Sequence, residues 1–309
     1  MDGSLRRVLN WIAHDRTSGA AELARRGVRA LEAWLRRRSK PTEAELLEIA
    51  RTLLDAQPAM APLVRLANEV ALAAEREDRG SAVAQAVGKF RHLLESAPAR
   101  ISRQFQRALR RRPRWQLATY SYSSTVVHAL RRARSRVDCV YCSEGRPGYE
   151  GRATAEKLAE AGIRVFFLTD AALWSRIGEA RAFVSGADAI LAEGIVNKIG
   201  TQPLIAQALE AGRHVWVLAD TTKFLPEALA RAFRRAREAA PGEIWRKPAK
   251  GVRVLNPYFE CAEISTGVRV LTERGWMGPR AVRREIAKIQ ISPRLVPSGS
   301  GQVAPGRAD

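Results

Sequence analysis

The sequence predicts an α/β fold, with a parallel-sheet domain preceded by an all-helical N-terminal domain. Apolar residues recur at helical spacing through residues 1–112, and short apolar runs alternate with helical stretches from residue 113 onward. This alternation is typical of parallel strands joined by crossover helices, so we assign residues 113–290 to the sheet domain. Residues 291–309 are rich in Pro, Gly and Ser and predict a disordered tail.

Several stretches of the N-terminal third show the periodicity of amphipathic helices. The segment after Pro41 is the most specific, because Thr42 and Glu45 form a capping-box sequence before a run of apolar residues. The other stretches are Ala20–Leu35, Pro58–Ala74 and Ala82–Leu94. Together they predict a helical bundle.

Short apolar runs in the remainder predict the strands. They are Trp115–Tyr120, Val137–Cys142, Arg164–Leu168, Ala182–Ala192, His214–Leu218, Val252–Leu255 and Val268–Leu271. A further amphipathic helix is predicted to begin at about Pro203. Cys139 and Cys142 form Cys-x-x-Cys, but residues three apart in a strand point to opposite faces, so we expect buried free thiols and no metal site.

The chain carries 52 basic and 32 acidic side chains, a formal net charge of +20. This charge raises the hypothesis of nucleic-acid binding, but the cations are spread through both halves and no basic patch is interleaved with aromatic residues. The sequence therefore does not favour a nucleic-acid partner. No apolar run approaches the ~20 residues needed to cross a bilayer, and the N-terminus lacks a secretory signal. We expect a cytoplasmic protein with no membrane partner.

Polar residues follow the predicted strands, at the edge where parallel sheets bind ligands. Arg146, Lys198 and Lys223 supply three cations there. Gly200 and Thr201 lie at the start of a predicted helix, where unpaired backbone N–H groups favour an anion. This combination predicts a site for a phosphorylated small molecule, with the arginine able to bind bidentately and the lysines acting as point charges.

A simpler alternative applies to the same residues. Asp188 would cap a turn, and Asn197–Thr201 would be an ordinary loop with a good N-cap residue. The sequence has no Gly-x-Gly-x-x-Gly after the first strand and no Walker-type Gly-Lys-Ser/Thr. It therefore predicts neither a dinucleotide cofactor nor P-loop chemistry, and we expect no cofactor.

An ordered set of motifs in the sheet domain resembles one protein family. The motifs are Thr119–Ser123, Glu144–Pro147 with Gly151, Gly186–Asp188, Asn197–Thr201, Lys223–Phe224, Asn256–Pro257 and Thr272–Gly275. Together they resemble the alpha, beta and delta subunits of eukaryotic translation initiation factor 2B. That family also contains ribose-1,5-bisphosphate isomerase and methylthioribose-1-phosphate isomerase. The resemblance implies a Rossmann-like sheet domain, dimerisation through it, and a pocket for a sugar phosphate or a nucleotide phosphate.

The resemblance also implies site residues. Isomerase members use a cysteine in the loop after the first strand together with the aspartate of the Gly-Ala-Asp motif. Asp188 matches the aspartate, whereas Ser121 stands at the position of the cysteine. A thiol with a pKa of ~8.5 can exchange protons near neutral pH, and an alkyl hydroxyl cannot without a strong base. The implied phosphate and substrate residues are Ser123, Arg146, Asn197, Lys198, Gly200, Thr201 and Lys223.

Three hypotheses for function follow. The leading one is a regulatory protein of the initiation-factor 2B type that binds a phosphorylated sugar or nucleotide, with Ser121 replacing the catalytic cysteine. The second is an aldose-1-phosphate isomerase that relies on Asp188, with Ser121 or Cys142 supplying the second group. The third is a scaffold or RNA-associated protein that uses its positive charge. We expect a homodimer or higher oligomer, and Glu260 is expected to replace an aspartate of the family.

Overall fold

A computed structural model describes residues 1–15, 18–38, 40–109, 114–230 and 239–296. Its N-terminal region is helical, with α1 (Gly3–His14), α2 (Ala20–Arg37), α3 (Glu43–Ala56), α4 (Ala61–Ala74) and α5 (Arg79–Ala108). The predicted domain boundary at residues 112–113 lies outside the described residues. So does the predicted tail beyond residue 296.

The predicted capping box begins α3. The Thr42 hydroxyl accepts a hydrogen bond from the Glu45 amide at 3.2 Å, and the Glu45 carboxylate accepts one from the Thr42 amide at 2.9 Å. Two of the orphan donors of the first turn are satisfied in this way. The apolar face of α3 then packs into the core of the helical region, which also contains Trp34 and Leu63.

Helix α5 extends beyond the predicted Ala82–Leu94 and connects two cores. Val83 and Val87 pack in the helical region, whereas Ile101 and Phe105 pack under the central sheet. Pro98 lies inside the helix, and its carbonyl accepts a hydrogen bond from the Ser102 hydroxyl at 2.6 Å. The helix thereby ties the two regions together through buried apolar contacts.

The remaining chain alternates strands and helices. The strands are β1 (Trp115–Thr119), β2 (Val137–Ser143), β3 (Arg164–Leu168), β4 (Ala182–Ser185), β5 (Ala189–Ile190), β6 (Gly194–Lys198), β7 (His214–Leu218), β8 (Phe259–Glu263), β9 (Val268–Thr272) and β10 (Gly275–Met277). The helices are α6 (Ser124–Arg132), α7 (Glu150–Glu160), α8 (Asp170–Arg176), α9 (Thr201–Glu210) and a last helix at Pro279–Ala287. None of the helices in the described ranges is long and apolar enough to span a membrane.

The central sheet has seven strands in the order β10-β9-β7-β4-β1-β2-β3. Every pairing is parallel except the hairpin of β9 and β10. The predicted α/β class with a helical N-terminal region is therefore confirmed. Because the strands are parallel, the loops after β1, β2, β4 and β7 lie at one edge of the sheet.

A smaller antiparallel sheet, in the order β5-β6-β8, was not predicted. The predicted strand Ala182–Ala192 is interrupted, because the chain turns at Gly186–Asp188 and β5 pairs with β6 outside the central sheet. The prediction of a strand at Val252–Leu255 is wrong. Its end residues are 46% and 57% exposed. Strand β8 pairs with β6 instead, since β-prone residues form a strand only where a neighbour offers backbone partners.

Two other boundaries differ from prediction. Helix α9 begins at Thr201 rather than near Pro203, because proline is tolerated in the first turn of a helix. Ile291, Leu295 and Val296 pack against buried residues while Pro293 and Arg294 are exposed, so residues 291–296 differ from the tail predicted to begin at residue 291. Ser292 is fully buried and its amide donates to Asn68 Oδ1 at 3.0 Å, while Asn68 Nδ2 donates to the Gln290 carbonyl at 2.9 Å. These bonds satisfy the backbone of the segment against α4.

Candidate functional site

The Gly-Ala-Asp turn packs directly against the start of α6. Ser123 is the N-cap of that helix, and its hydroxyl accepts a hydrogen bond from the Val126 amide at 3.4 Å. A Cβ on Gly186 would lie 2.5 Å from Ser123 Oγ, so only glycine fits there. The Asp188 amide donates to the Val196 carbonyl at 2.8 Å, which joins the turn to β6. The structure thus places the Gly-Ala-Asp turn between Ser123 and β6.

The Asp188 carboxyl has a raised pKa. Burial is the main cause, and the nearby Glu150 carboxylate raises the pKa further. The ammonium groups of Lys223 and Lys198 oppose this shift without cancelling it. A raised pKa makes a carboxyl a stronger proton acceptor, a property shared by the carboxyl groups that act in acid–base catalysis.

Lys198 is a buried cation at the end of β6. Its side chain is 2% exposed, and Nζ lies 3.0 Å from Glu150 Oε1. The same Nζ lies 3.3 Å from the centroid of the Tyr258 ring, and the Tyr258 hydroxyl also donates to Glu150 Oε1. Burial lowers the pKa of Lys198, and Glu150 partly restores it. Within the described ranges, Glu150 Oε2 is buried without a hydrogen-bond partner.

Lys223 holds the Gly-Ala-Asp turn from the other side. It closes a short 3₁₀ turn, Thr221–Lys223, in which Asp220 Oδ1 accepts a hydrogen bond from the Thr222 amide at 3.0 Å. The buried Nζ of Lys223 donates to the Ala187 carbonyl. Its charge therefore lies beside Asp188, in agreement with its effect on the pKa of that carboxyl.

The start of α9 is occupied by groups of the protein itself. Asn197 Nδ2 donates to Thr201 Oγ1 at 3.0 Å, and Thr201 Oγ1 donates to the Lys198 carbonyl at 2.7 Å. Gly200 precedes the helix in the left-handed region, with φ of 100°. The Gln202 amide donates to Glu260 Oε1 at 2.7 Å. One amide of the predicted anion site thus binds a carboxylate, while Asn197 and Thr201 hold the turn.

Ser121 and Arg146 lie in neighbouring loops. Ser121 has a left-handed backbone, with φ of 60°, and its carbonyl accepts a hydrogen bond from Thr154 Oγ1 at 2.8 Å. The amides of Gly145 and Arg146 donate to the Asp170 carboxylate at 2.9 and 2.8 Å. The Arg146 guanidinium donates to the Tyr149 hydroxyl and lies over its ring. These bonds hold the loop after β1 against α7 and the loop after β2 against the start of α8.

Sequence reasoning missed several residues of this site. Glu150 and Tyr258 hold Lys198, and the Tyr120 hydroxyl donates to the Ile199 carbonyl at 2.6 Å. One sequence signal could have found Glu150, since an acidic residue at the first position of a helix beside a motif glycine is well placed to face a ligand. Tyr258 directly follows the Asn256–Pro257 motif.

Cys142 is unsuited to replace the missing thiol. It is 1% exposed, and burial raises its pKa to about 12. At pH 8 we expect native Cys142 to react with iodoacetamide roughly 1,000-fold more slowly than in the urea-unfolded chain, because the thiolate is the nucleophile. Timed alkylation followed by mass spectrometry of the Cys142 peptide measures both rates. Equal rates in the two states would contradict a buried thiol.

The chain is similar to known proteins in sequence and in fold. The family model described as Initiation factor 2 subunit family matches residues 16–279. Ribose 1,5-bisphosphate isomerase of Archaeoglobus fulgidus is 31% identical over 289 residues, which cover 90% of this chain and 89% of that protein. Methylthioribose-1-phosphate isomerase of Thermotoga neapolitana is 34% identical over 174 residues, covering 53% of this chain and 50% of that protein.

A solved structure agrees with these matches. The translation initiation factor eIF-2B of Pyrococcus horikoshii superimposes with a TM-score of 0.73 at 24% identity, covering 93% of this chain and 100% of that chain. This similarity shows the fold. The family match covers most of the chain and confirms the resemblance predicted from the motifs. The chain therefore belongs to the initiation factor 2 subunit family.

Proposed function

We propose that this protein binds a phosphorylated sugar or nucleotide at the edge of the central sheet and lacks isomerase turnover. The observation that carries the proposal is the pair of buried cations, Lys198 and Lys223, on either side of Asp188. Glu150 compensates Lys198, whereas Lys223 Nζ donates to a neutral carbonyl, so an anionic ligand would offset the cost of burying the second ammonium group. Ser121, at the position of the catalytic cysteine of the isomerases, is the reason to expect binding without turnover.

Arg146 supports an anionic ligand at the same edge. A guanidinium has five N–H donors, and the Tyr149 hydroxyl accepts from Nη1 of Arg146. The remaining donors suit bidentate recognition of a phosphate. The ammonium of Lys198 has three donors and shares Glu150 with Tyr258, so a phosphate oxygen can join this network without displacing it. We propose Ser123 as a further contact, through the start of α6.

The second candidate function is sugar-phosphate isomerisation. It is favoured by the full-length similarity to the Archaeoglobus fulgidus ribose 1,5-bisphosphate isomerase and by the raised pKa of Asp188. In this reading Asp188 moves the proton between the first two carbons of the sugar. Among the described residues no hydrogen bond joins the Ser121 hydroxyl to a basic group, which makes this the weaker candidate.

Ser121→Cys separates the two candidates. We expect the unmodified protein to leave ribose 1,5-bisphosphate unconverted and the variant to gain at least roughly 100-fold in turnover, because a thiol can serve as a proton-transfer group. Phosphorus NMR measures conversion to ribulose 1,5-bisphosphate, and line broadening without conversion reports binding. Adding Asp188→Asn to the variant is expected to abolish the gain.

Ser124→Cys is the matched control, since it places an exposed thiol three positions away. No gain is expected from it. Conversion by the unmodified protein that Asp188→Asn abolishes would instead establish the isomerase. A protein that leaves the phosphorus lines unchanged, and that binds polyanions with a steep salt dependence, would favour the scaffold hypothesis.

We further propose a homodimer formed through the sheet region. Phe166 and Phe167 on the edge strand β3 are 42% and 45% exposed, and Trp174 on α8 is 49% exposed. Large exposed apolar side chains on an edge strand and on the helix that follows it are typical of a surface that is covered by another molecule. Multi-angle light scattering is expected to give twice the 34.2 kDa chain mass, and a monomer mass would contradict the proposal.

A further inference from the structure

A cavity lies between the helical region and the central sheet, and Asp188 is not among its lining residues. Its volume is about 190 Å³. Helices α4 and α5 form one wall, with Arg65, Lys89 and Phe90. The turn after β7 and the β9–β10 turn form the other, with Thr222 and Arg274.

Arg65 faces this cavity with unused hydrogen-bond donors. Its side chain is 14% exposed, and Nη2 lies 3.1 Å from Glu69 Oε1. The Nε and Nη1 atoms are buried and have no hydrogen-bond partner within the described ranges. An unsatisfied charged donor away from water costs free energy, so buried guanidinium groups ordinarily meet an acceptor on each side.

Arg274 adds a second positive charge to the opposite wall. Its guanidinium donates to Glu285 Oε2 at 2.7 Å and lies 3.6 Å from Glu273 Oε1. Both carboxylates have other partners, because Glu285 also binds Lys288, and Glu273 accepts hydrogen bonds from the amide and hydroxyl of Thr221. The charge of Arg274 contributes, after burial, to lowering the pKa of Arg65. The two guanidinium groups therefore repel each other across the cavity.

We propose that this cavity binds an oxyanion, the phosphate group of a small molecule, between Arg65 and Arg274. The Arg65 guanidinium would turn toward the cavity so that the phosphate oxygens accept from Nε and Nη1, and the phosphate would neutralise the repulsion. Lys89, at the cavity wall, adds a third positive charge, against the two carboxylates of Glu69 and Glu285 that also line the cavity. Phe90, Leu93 and Ile289 line the cavity as well and offer apolar surface for the carbon part of the ligand.

The cavity is connected to the candidate functional site by one turn. Thr221 and Thr222 line the cavity, and the next residue, Lys223, donates to the Ala187 carbonyl beside Asp188. A ligand held by Arg65 and Arg274 would fix this turn against α4. Occupancy of the cavity is therefore expected to influence the position of Lys223 without any contact between the two ligands.

Selenate soaked into crystals grown without phosphate or sulfate tests the proposal directly. We expect an anomalous-scattering peak within hydrogen-bond distance of Arg65 Nη1. Isothermal titration of the full chain with inorganic phosphate should show a binding event that Arg65→Gln weakens at least tenfold. Arg274→Gln is expected to weaken the same event, and since Arg274 is more than half exposed it keeps the test informative if Arg65→Gln does not fold.

Arg103→Gln is the matched control, because Arg103 is an exposed arginine of α5 that does not line the cavity. It should leave the titration unchanged. Selenate peaks found only beside Lys198 or Lys223, together with unchanged phosphate binding in Arg274→Gln, would overturn the proposal.

Discussion

Gly151→Ala is expected to prevent folding or to lower the free energy of unfolding by more than about 4 kcal/mol. A Cβ at residue 151 would lie 1.7 Å from the Ser143 carbonyl oxygen. That oxygen belongs to the backbone of β2, so it cannot move aside as a flexible side chain would. The Gly151 amide also donates to the Glu144 carbonyl at 3.0 Å, which holds α7 against the strand. Urea unfolding followed by circular dichroism measures the loss.

Gly88→Ala is the matched control, since it adds the same methyl group to a helical glycine. A Cβ at Gly88 meets nothing within 4 Å. Alanine is expected to stabilise α5 by about 0.5–1 kcal/mol, because glycine loses more backbone entropy on folding. Equal stability of the two variants would refute the steric explanation for Gly151.

Lys198→Ala is expected to lower the free energy of unfolding by about 3–5 kcal/mol. The substitution removes the ammonium group 3.0 Å from Glu150 and leaves that carboxylate beside Asp188 and without its cation. Removing one partner of a buried ion pair costs more free energy than the intact pair contributes to stability, because the remaining charge stays desolvated. The lost contact with the Tyr258 ring adds to the effect. Urea unfolding at pH 7 gives the value.

Two further variants make this prediction specific. Adding Glu150→Gln to Lys198→Ala removes the uncompensated charge and should recover part of the loss, as a double-mutant cycle measures. Lys288→Ala removes the ammonium group that pairs with Glu285 at the surface. Because the Lys288 side chain is 71% exposed, this substitution is expected to lower the free energy of unfolding by less than about 1 kcal/mol. If Lys198→Ala were no more destabilising than Lys288→Ala, the buried pair would have no structural importance.

The local features of the fold and of the candidate site could be predicted from the sequence. The Gly-Ala-Asp turn and the capping box of α3 each depend on a few neighbouring residues, whose backbone preferences are strong, and the start of α9 was predicted to within two residues. The strand after Asn256 could not be placed in the same way. Val252–Leu255 has a strand-like composition but no strand partner among the described residues. Residues Phe259–Glu263 form β8 because β6 supplies the backbone groups that pair with them.

The environment of the charges depended on residues far apart in the chain. Lys198 meets Glu150 across 48 positions, and Tyr258 meets the same carboxylate across 108. Glu260 accepts a hydrogen bond from the Gln202 amide, one residue beyond the Gly200 and Thr201 amides that the sequence predicted for a phosphate. Burial and pairing of this kind set the pKa of Asp188, and no local pattern encodes them.

The sequence by itself determined the α/β class and the family, because periodicity and motifs are properties of short segments. It also gave the candidate site residues Asp188, Lys198, Lys223 and Ser121. The tertiary structure alone decided which of these groups are buried, which carboxylate each lysine meets, and that Arg65 faces Arg274 across a cavity. The physical reason is that desolvation and Coulomb interactions depend on distance in space, and packing brings together groups that the sequence separates.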